Sequence, residues 1–247
     1  MSKATFTIWR GDATGGKMVD YTAEVTEGMV VLDAVHAVQA TQATDLACRW
    51  NCKAGKCGSC SAEINGSPKL MCMTRLNTLP ADQPVTIEPM QAFPHVKDLV
   101  TDVSWNYEVK KGIQQMRPRK PDAADGTWRV AQRDVDRVQE FRKCIECFLC
   151  QDVCHVLRDH HKHAEFLGPR FLVYAAALEM NPLDTADRIP QLKEDLGIGY
   201  CNITKCCTNV CPEHITITDN AIIPLKERIV DRYYDPLRTF LRIVGID

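Results

Sequence analysis

The sequence predicts an α+β protein built in two parts. Three observations carry that expectation. Short segments of alternating apolar and polar residues surround one helical stretch in the first ninety or so residues. From Ala131 the apolar spacing is helical. Thirteen cysteines fall into tightly spaced sets, one in the first part and two in the second. With 247 residues the chain is long enough for one large domain or two small ones. A net charge of −2 removes the basic footprint of a nucleic-acid binder. The odd cysteine count and the short spacings argue for metal in a reducing compartment rather than a disulfide framework.

Residues 4–10 alternate as a strand, Gly11-Asp-Ala-Thr-Gly-Gly16-Lys17 is a Gly-rich turn, and residues 18–25 give a second strand. The turn imitates G-x4-G-K, but Met18 replaces the Ser or Thr that would bind Mg²⁺, and a strand follows rather than a helix. A helix is expected over residues 26–42, with Val31, Val35 and Val38 on one face. Strands at 61–65 and 69–73 flank a turn at Gly66-Ser67-Pro68, and residues 84–89 form another strand. Residues 94–109 read as a connecting helix, and residues 110–128 as an extended, Pro-containing strap. Helices are expected at 131–143, 168–180, 189–197 and 219–234, and loosely over 232–245. No apolar run reaches the roughly 18 residues that span a bilayer, so membrane contact is expected to run through a partner.

The first cysteine set is Cys52, Cys57, Cys60 and Cys72, a C-x4-C-x2-C…C pattern with plant-type [2Fe-2S] spacing. Such a loop wraps its backbone N–H groups around the cluster sulfurs, and Gly55 and Gly58 allow the close approach. Three cysteines crowding one Gly-rich loop do not resemble the paired knuckles of structural zinc. Cys48 is read as a non-ligand. Strands around one helix with this loop predict a β-grasp plant-type ferredoxin domain over 1–105.

Cys144, Cys147, Cys150 and Cys154 give C-x2-C-x2-C-x3-C. The run Cys201 to Pro212 matches the same pattern except that Thr204 occupies one ligand slot and Cys206 lies out of register. In two-cluster ferredoxins the fourth cysteine of each run serves the other cluster. That crossing assigns Cys144, Cys147, Cys150 and Cys211 to a [4Fe-4S] cluster, and Cys154, Cys201 and Cys207 to a site lacking its fourth thiolate. Such a cubane tends to lose its unligated iron, giving [3Fe-4S]; Cys206 completing a second [4Fe-4S] is the alternative. One thiolate fewer raises the potential. Residues 106–247 are thus expected to form an all-α, bacterial-ferredoxin-like two-cluster domain, with the strap at 106–130.

Taken together, the first loop, CIECFLCQDVC and CNITKCCTNVCP resemble the iron–sulfur subunits of succinate dehydrogenase and fumarate reductase over essentially the whole chain. The resemblance implies an intermediary placed between a flavoprotein, which carries FAD and the dicarboxylate site, and a membrane anchor of one or more subunits, with or without haem. Electrons would run from FAD through [2Fe-2S], [4Fe-4S] and [3Fe-4S] to quinone, in the respiratory chain and tricarboxylic acid cycle, at the cytoplasmic face of the bacterial inner membrane. No catalytic residue is expected on this chain. Ubiquinone-reducing members usually continue from the position of Cys154 with Pro, Ser or Thr and a Trp pair; here the sequence is Cys154-His-Val-Leu-Arg158. They also commonly place His where Asn202 stands. Both departures lean toward a menaquinone-type enzyme and leave open whether succinate is oxidised or fumarate reduced.

His155, His160, His161 and His163 follow Cys154 closely. They read either as a polar helix end or partner interface, or as a group for proton delivery to quinone and contact with anchor or headgroups. The rival readings of the whole chain are a soluble polyferredoxin-type carrier, a structural zinc protein, and a thiol-dependent fumarate reductase or heterodisulfide-reductase-like subunit. The last typically carries CCG-type cysteine repeats, and none occurs here.

Overall fold

The central strand β1, Ser2–Asp12, organises the first part of the computed structural model, which describes residues 2–237, 241 and 244. Along one edge β1 pairs antiparallel over its full length with β2, Gly15–Val25. Asp12 Oδ1 accepts hydrogen bonds from Thr14 N–H at 2.8 Å and Thr14 Oγ1 at 2.6 Å, which closes the two-residue connection. The Gly-rich stretch is therefore a hairpin. A Cβ on Gly16 would lie 2.4 Å from Arg10 O. Helix α1, Val31–Thr41, follows and buries Val31, Leu32, Val35 and Val38 against the sheet. Asp33 at its third position accepts the Val30 N–H at 3.2 Å.

Strand β3, Ser61–Ile64, pairs antiparallel with β4, Ser67–Leu70. Asn65 and Gly66, both at positive φ (49° and 69°), make the turn. The turn thus precedes Ser67 and Pro68, which belong to β4, and Met71–Met73 lie beyond the strand, contrary to the expectation of a strand over 69–73. Strand β5, Val85–Glu88, runs parallel to β1 beside Phe6–Ile8 and antiparallel to β3.

The helix expected over 94–109 forms only in its second half. Residues His95–Lys97 are β6, Val100–Thr101 are β7, and helix α2 begins at Ser104 and ends at Gly112. Asp98 explains the difference. It turns the chain at φ 48°, and its buried carboxylate accepts hydrogen bonds from Arg10 Nε (3.0 Å), Gly11 N–H (3.0 Å) and Ala47 N–H (2.8 Å). Those bonds hold the segment on the sheet edge, where β6 pairs with β1 at Asp12. The strap beyond α2 is irregular but tethered: Trp128 Nε1 donates to Arg119 O at 2.9 Å, and Arg117 N–H donates to Asp184 at 2.9 Å.

The second part is helical. Helix α3, Gln132–Gln139, continues into a 3-10 turn through Lys143. Two single-turn helices sit in the first cysteine run of this part, α4 (Leu149–Asp152) and α5 (His155–Arg158). Helix α6, Pro169–Glu179, is buried along most of its length; α7 spans Ile189–Glu194, α8 is the turn Cys206–Asn209, and α9 is Ile223–Tyr233. Pro169, Pro190 and Pro224 occupy first-turn positions, where a missing N–H costs nothing. A wider turn over Ile217–Ile222 precedes α9. The expected helical stretch over 232–245 begins within the last turn of α9, and 238–240, 242, 243 and 245 lie outside the described residues.

Two apolar cores result, and each borrows from the other half of the sequence. The sheet core around Phe6, Ile8, Leu32 and Ile87 takes in Cys147 and Leu149. The helical core around Phe148, Phe166, Phe171 and Leu172 takes in Met90, Phe93 and Val103. Polar contacts stitch the seam. Arg158 makes a two-pronged ion pair with buried Glu63, Asp152 Oδ1 accepts Ala92 N–H at 2.9 Å, and Ser61 Oγ donates to Cys147 O at 2.8 Å. Burial pushes the Asp152 carboxyl up to about 7, and also raises Glu63 against the pull of Arg158.

These buried carboxylates can be tested in two ways. Replacing Asp98 with Ala leaves the Gly11 and Ala47 N–H groups without their acceptor, while Arg10 keeps Asp45 and Tyr21, so the free energy of unfolding should drop by about 2–4 kcal/mol, read from urea denaturation. Asp152 behaves in the opposite sense. Its folded-state value is raised, so its neutral form suits the fold, and stability is lost as pH climbs from the usual carboxylate range toward 7. Asp152→Asn should therefore be more stable than wild type at pH 8, with the gap closing toward pH 4, in paired thermal melts.

Candidate iron–sulfur centres

The first cysteine loop joins α1 to β3 and winds tightly, with Lys53, Gly55 and Gly58 at φ 53°, 66° and 69°. Ala54 and Lys56 each aim their N–H at Cys52 Sγ, both at 3.3 Å. Burial raises the Cys57 thiol, but N–H and side-chain hydrogen bonds from Ser59 and Cys52 outweigh it and bring the thiol down to about 7. Cys60 lies deeper beside Cys72, and burial pushes its thiol up to about 12. The loop thus gathers Cys52, Cys57, Cys60 and Cys72, from an exposed rim to a buried floor. Cys48 packs half-buried against the sheet core, its thiol raised to about 12 by burial.

Gly58 also does something the cysteine spacing does not reveal. A Cβ there would lie 2.6 Å from Cys147 Cα and 2.9 Å from its N. The glycine lets the first loop touch the backbone of the second cysteine run. Gly55 is closed in by Met73 in the same way, with Met73 Sδ 2.8 Å from its would-be Cβ.

A second cavity is lined by Cys144, Cys147, Cys150 and Cys211 together with Ile145, Phe148, Ile215 and Ile217. Burial drives Cys147 up to about 12 and Cys150 well above its ordinary value, with the neighbouring thiols adding to both. Ile215 N–H points at Cys211 Sγ at 3.4 Å. A third cavity is lined by Cys154, Cys201, Cys206 and Cys207, with Thr204, Phe166, Pro169, Thr218 and Ile222. Burial raises Cys154 and Cys207 to about 11 each. The fourth cysteine of each run therefore reaches the cavity of the other run.

The two runs share one backbone course. Glu146 and Phe148 sit two and four residues after Cys144 at φ 55° and 61°; Ile203 and Lys205 hold the same offsets from Cys201, both at 62°. Helices α4 and α8 start one residue later. In this register Thr204 matches Cys147, Cys206 matches Leu149, Cys207 matches Cys150 and Cys211 matches Cys154.

Several buried thiols converging on a small apolar cavity repel one another as thiolates and are costly to ionise. A multi-iron core relieves both penalties, and N–H groups aimed at sulfur suit such a core. The donor set, buried thiols with N–H groups aimed at sulfur, fits iron–sulfur clusters.

The histidine group separates. His155 lines the third cavity, where Asn202 Nδ2 donates to its Nε2 at 3.1 Å, and His160 meets it edge-on. His163 turns away, bonding Ala92 O at 2.9 Å and stacking edge-on with Trp105, so it belongs to the seam. His161 is exposed at φ 52°. The widest groove, between α7 and α9, has no cysteine; Arg228 and Arg232 along it pair with Glu179 and Asp187. It lies away from the cysteine chemistry.

Comparison with known proteins places these features. Residues 5–108 match a family described as a 2Fe-2S iron-sulfur cluster binding domain, and residues 140–215 a 4Fe-4S dicluster domain. The chain is 32% identical to a fumarate reductase iron-sulfur subunit of Mycobacterium tuberculosis, covering 79% of both chains. It is 28% identical to a succinate dehydrogenase iron-sulfur subunit of Paracoccus denitrificans, over 92% of this chain and 88% of the other. A CoM/CoB fumarate reductase polypeptide of Methanothermobacter marburgensis is 31% identical over 83% of this chain. The chain spans only 40% of that protein, and 45% of an uncharacterised iron-sulfur protein of Methanococcus maripaludis. A chain of the Mycobacterium smegmatis Sdh1 complex superposes with a TM-score of 0.91 at 61% identity, over 95% of this chain and 98% of its own.

Gly58→Ala tests the contact between the first two sites. The new methyl group meets Cys147 backbone at 2.6 Å and φ is 69°, so the loop has to shift. The purified variant should lose or distort the visible circular dichroism of its iron–sulfur chromophores, whereas an unchanged spectrum would contradict the close approach.

Proposed function

The chain belongs to the family of iron–sulfur subunits of succinate dehydrogenase and fumarate reductase, and on that premise we propose that it is the electron relay of a membrane-bound succinate:quinone oxidoreductase. A β-grasp domain over 1–105 holds [2Fe-2S] on Cys52, Cys57, Cys60 and Cys72. A two-cluster, ferredoxin-like domain over 106–247 holds [4Fe-4S] on Cys144, Cys147, Cys150 and Cys211, and [3Fe-4S] on Cys154, Cys201 and Cys207. A partner flavoprotein supplies FAD and the dicarboxylate site, and an anchor subunit supplies the membrane side of a quinone pocket, of menaquinone type. The assembly lies at the cytoplasmic face of the bacterial inner membrane.

One observation carries this reading: the crossing of Cys211 and Cys154 between two adjoining cavities, with the first loop pressed against Cys147. The contacts form a line, from the exposed rim at Cys52, through Gly58 and Cys147, across Cys150 and Cys207, to His155 and Asn202. When bound, the clusters supply one-electron steps. The protein contributes their spacing, their burial and the N–H groups on sulfur that set their potentials. Thr204 withholds a thiolate at the far end, which makes the last cluster the strongest acceptor and draws electrons toward quinone.

Among the described residues no helix is long and apolar enough to cross a membrane. The fumarate reductases among the relatives favour a second reading in which the same relay runs toward fumarate. The methanogen relative points to thiol-coupled fumarate reduction as a third.

The test uses the complex purified through a tag on this chain from its own membranes. Cys207→Ser should eliminate succinate-driven quinone reduction while a soluble dye, taking electrons upstream, is still reduced. Equal loss of both activities, or the absence of a flavoprotein in the purified material, would contradict the relay. His155→Ala should slow quinone reduction and spare the dye; a variant indistinguishable from wild type in both assays would remove His155 from the quinone end.

A further inference from the structure

Cys48 and Cys206 are left over once the eleven cysteines above are assigned. The structure treats them differently. Cys48 is half-buried against the sheet core and lines neither cysteine cavity of the helical part. Cys206 lines the third cavity beside Cys154, Cys201 and Cys207, and interacts electrostatically with both Cys154 and Cys207. Its counterpart in the other run, Leu149, is fully buried in the sheet core and does not line the second cavity. The two runs share a backbone course yet diverge at this one position. The side chain that diverges is a thiol, and it stands next to the slot where a ligand is missing.

That slot is held by Thr204, whose Oγ1 lies 3.2 Å from Cys206 Sγ. The hydroxyl and the thiol share this hydrogen bond. Thr204 is exposed and Cys206 partly accessible, so an ion can enter at this corner, whereas their counterparts in the other run, Cys147 and Leu149, are buried.

We propose that Cys206 is a conditional fourth ligand of the third centre, so that this cavity takes up and releases one ferrous ion and switches between three-iron and four-iron forms. The inference rests on the three-iron reading above. The conversion balances with a low-potential one-electron donor and Fe²⁺ as co-reactants. The donor reduces [Fe3S4]⁺ to [Fe3S4]⁰. Fe²⁺ then fills the open corner to give [Fe4S4]²⁺. Cys206 Sγ gives its proton to solvent, leaves Thr204 Oγ1 and forms the new iron–sulfur bond. Oxidation reverses the sequence and returns Fe²⁺ and [Fe3S4]⁺. An added thiolate lowers the potential, so the four-iron form is a poorer acceptor. The relay would be open when oxidised and throttled when reduced and iron-replete.

The experiment takes the purified complex under anaerobic conditions and adds dithionite and isotopically labelled ferrous iron, followed by desalting. In wild type the near-isotropic electron paramagnetic resonance signal of the oxidised three-iron cluster should disappear after treatment. About one labelled iron per third centre should appear by Mössbauer spectroscopy as part of a four-iron core, and mild oxidation should return the signal. Cys206→Ala should keep its three-iron signal throughout and take up no label, while Thr204→Val, lacking the hydroxyl that holds the thiol off, should convert more readily. A wild-type signal that survives treatment, or equal conversion in Cys206→Ala, would overturn the proposal. A signal absent from untreated wild type but present in Cys206→Ala would make Cys206 a permanent ligand and overturn the switch. Its absence from both untreated proteins would instead sink the three-iron reading on which the switch depends.

Discussion

The structure turns on one contact: Gly58 lies so close to the backbone of Cys147 that no methyl group fits between them. That contact makes two cysteine sets neighbours although almost ninety residues separate them in sequence. The rest of the seam holds it in place. Ser61 bonds the Cys147 carbonyl, Glu63 pairs with Arg158, and Lys56 reaches Glu213 beside Cys211 at 2.9 Å. Cys147 and Leu149 then complete the sheet core from the helical side. Electron transfer weakens steeply with distance, so a relay needs its centres fixed by packing rather than by a hinge. A seam of interleaved cores supplies that rigidity.

Within the helical part, crossing does the same work. Because Cys211 serves the cavity of the earlier run and Cys154 that of the later one, neither cavity closes unless both runs are in place. Burial makes Cys147, Cys150, Cys154, Cys207 and Cys211 reluctant to ionise alone. Cluster insertion and folding are therefore expected to be one event, as in other metal-stabilised domains.

Much of this is legible in the residues. The cysteine spacings point to the members of each set, and the offset between the runs singles out Thr204. The α1 periodicity, the first hairpin and the first-turn prolines of α6, α7 and α9 are likewise readable, because they are local signals. What stays hidden depends on distant partners. Asp98 converts an apparently helical stretch into β6 and β7 by accepting bonds from Arg10, Gly11 and Ala47. His163 sits in a polar sequence yet serves the seam through Ala92 and Trp105. Gly58 reads as a cluster-loop glycine, and its fit against Cys147 has no trace in the spacing. Spacing alone discounts Cys206, because adjacent residues diverge along a chain. At the first turn of α8, however, the cavity lies at the helix end, and both Cys206 and Cys207 border it.

In the proposed relay the direction of electron flow rests on the missing thiolate at Thr204. It is probed by low-temperature electron paramagnetic resonance on the complex purified from its own membranes, before and after succinate. A three-iron centre at the end of the relay gives the near-isotropic signal of its oxidised form, and that signal vanishes when succinate is added. An intact, oxidised complex without that signal would contradict the assignment of Thr204, and a signal indifferent to succinate would contradict the connection of this relay to a succinate-oxidising flavoprotein.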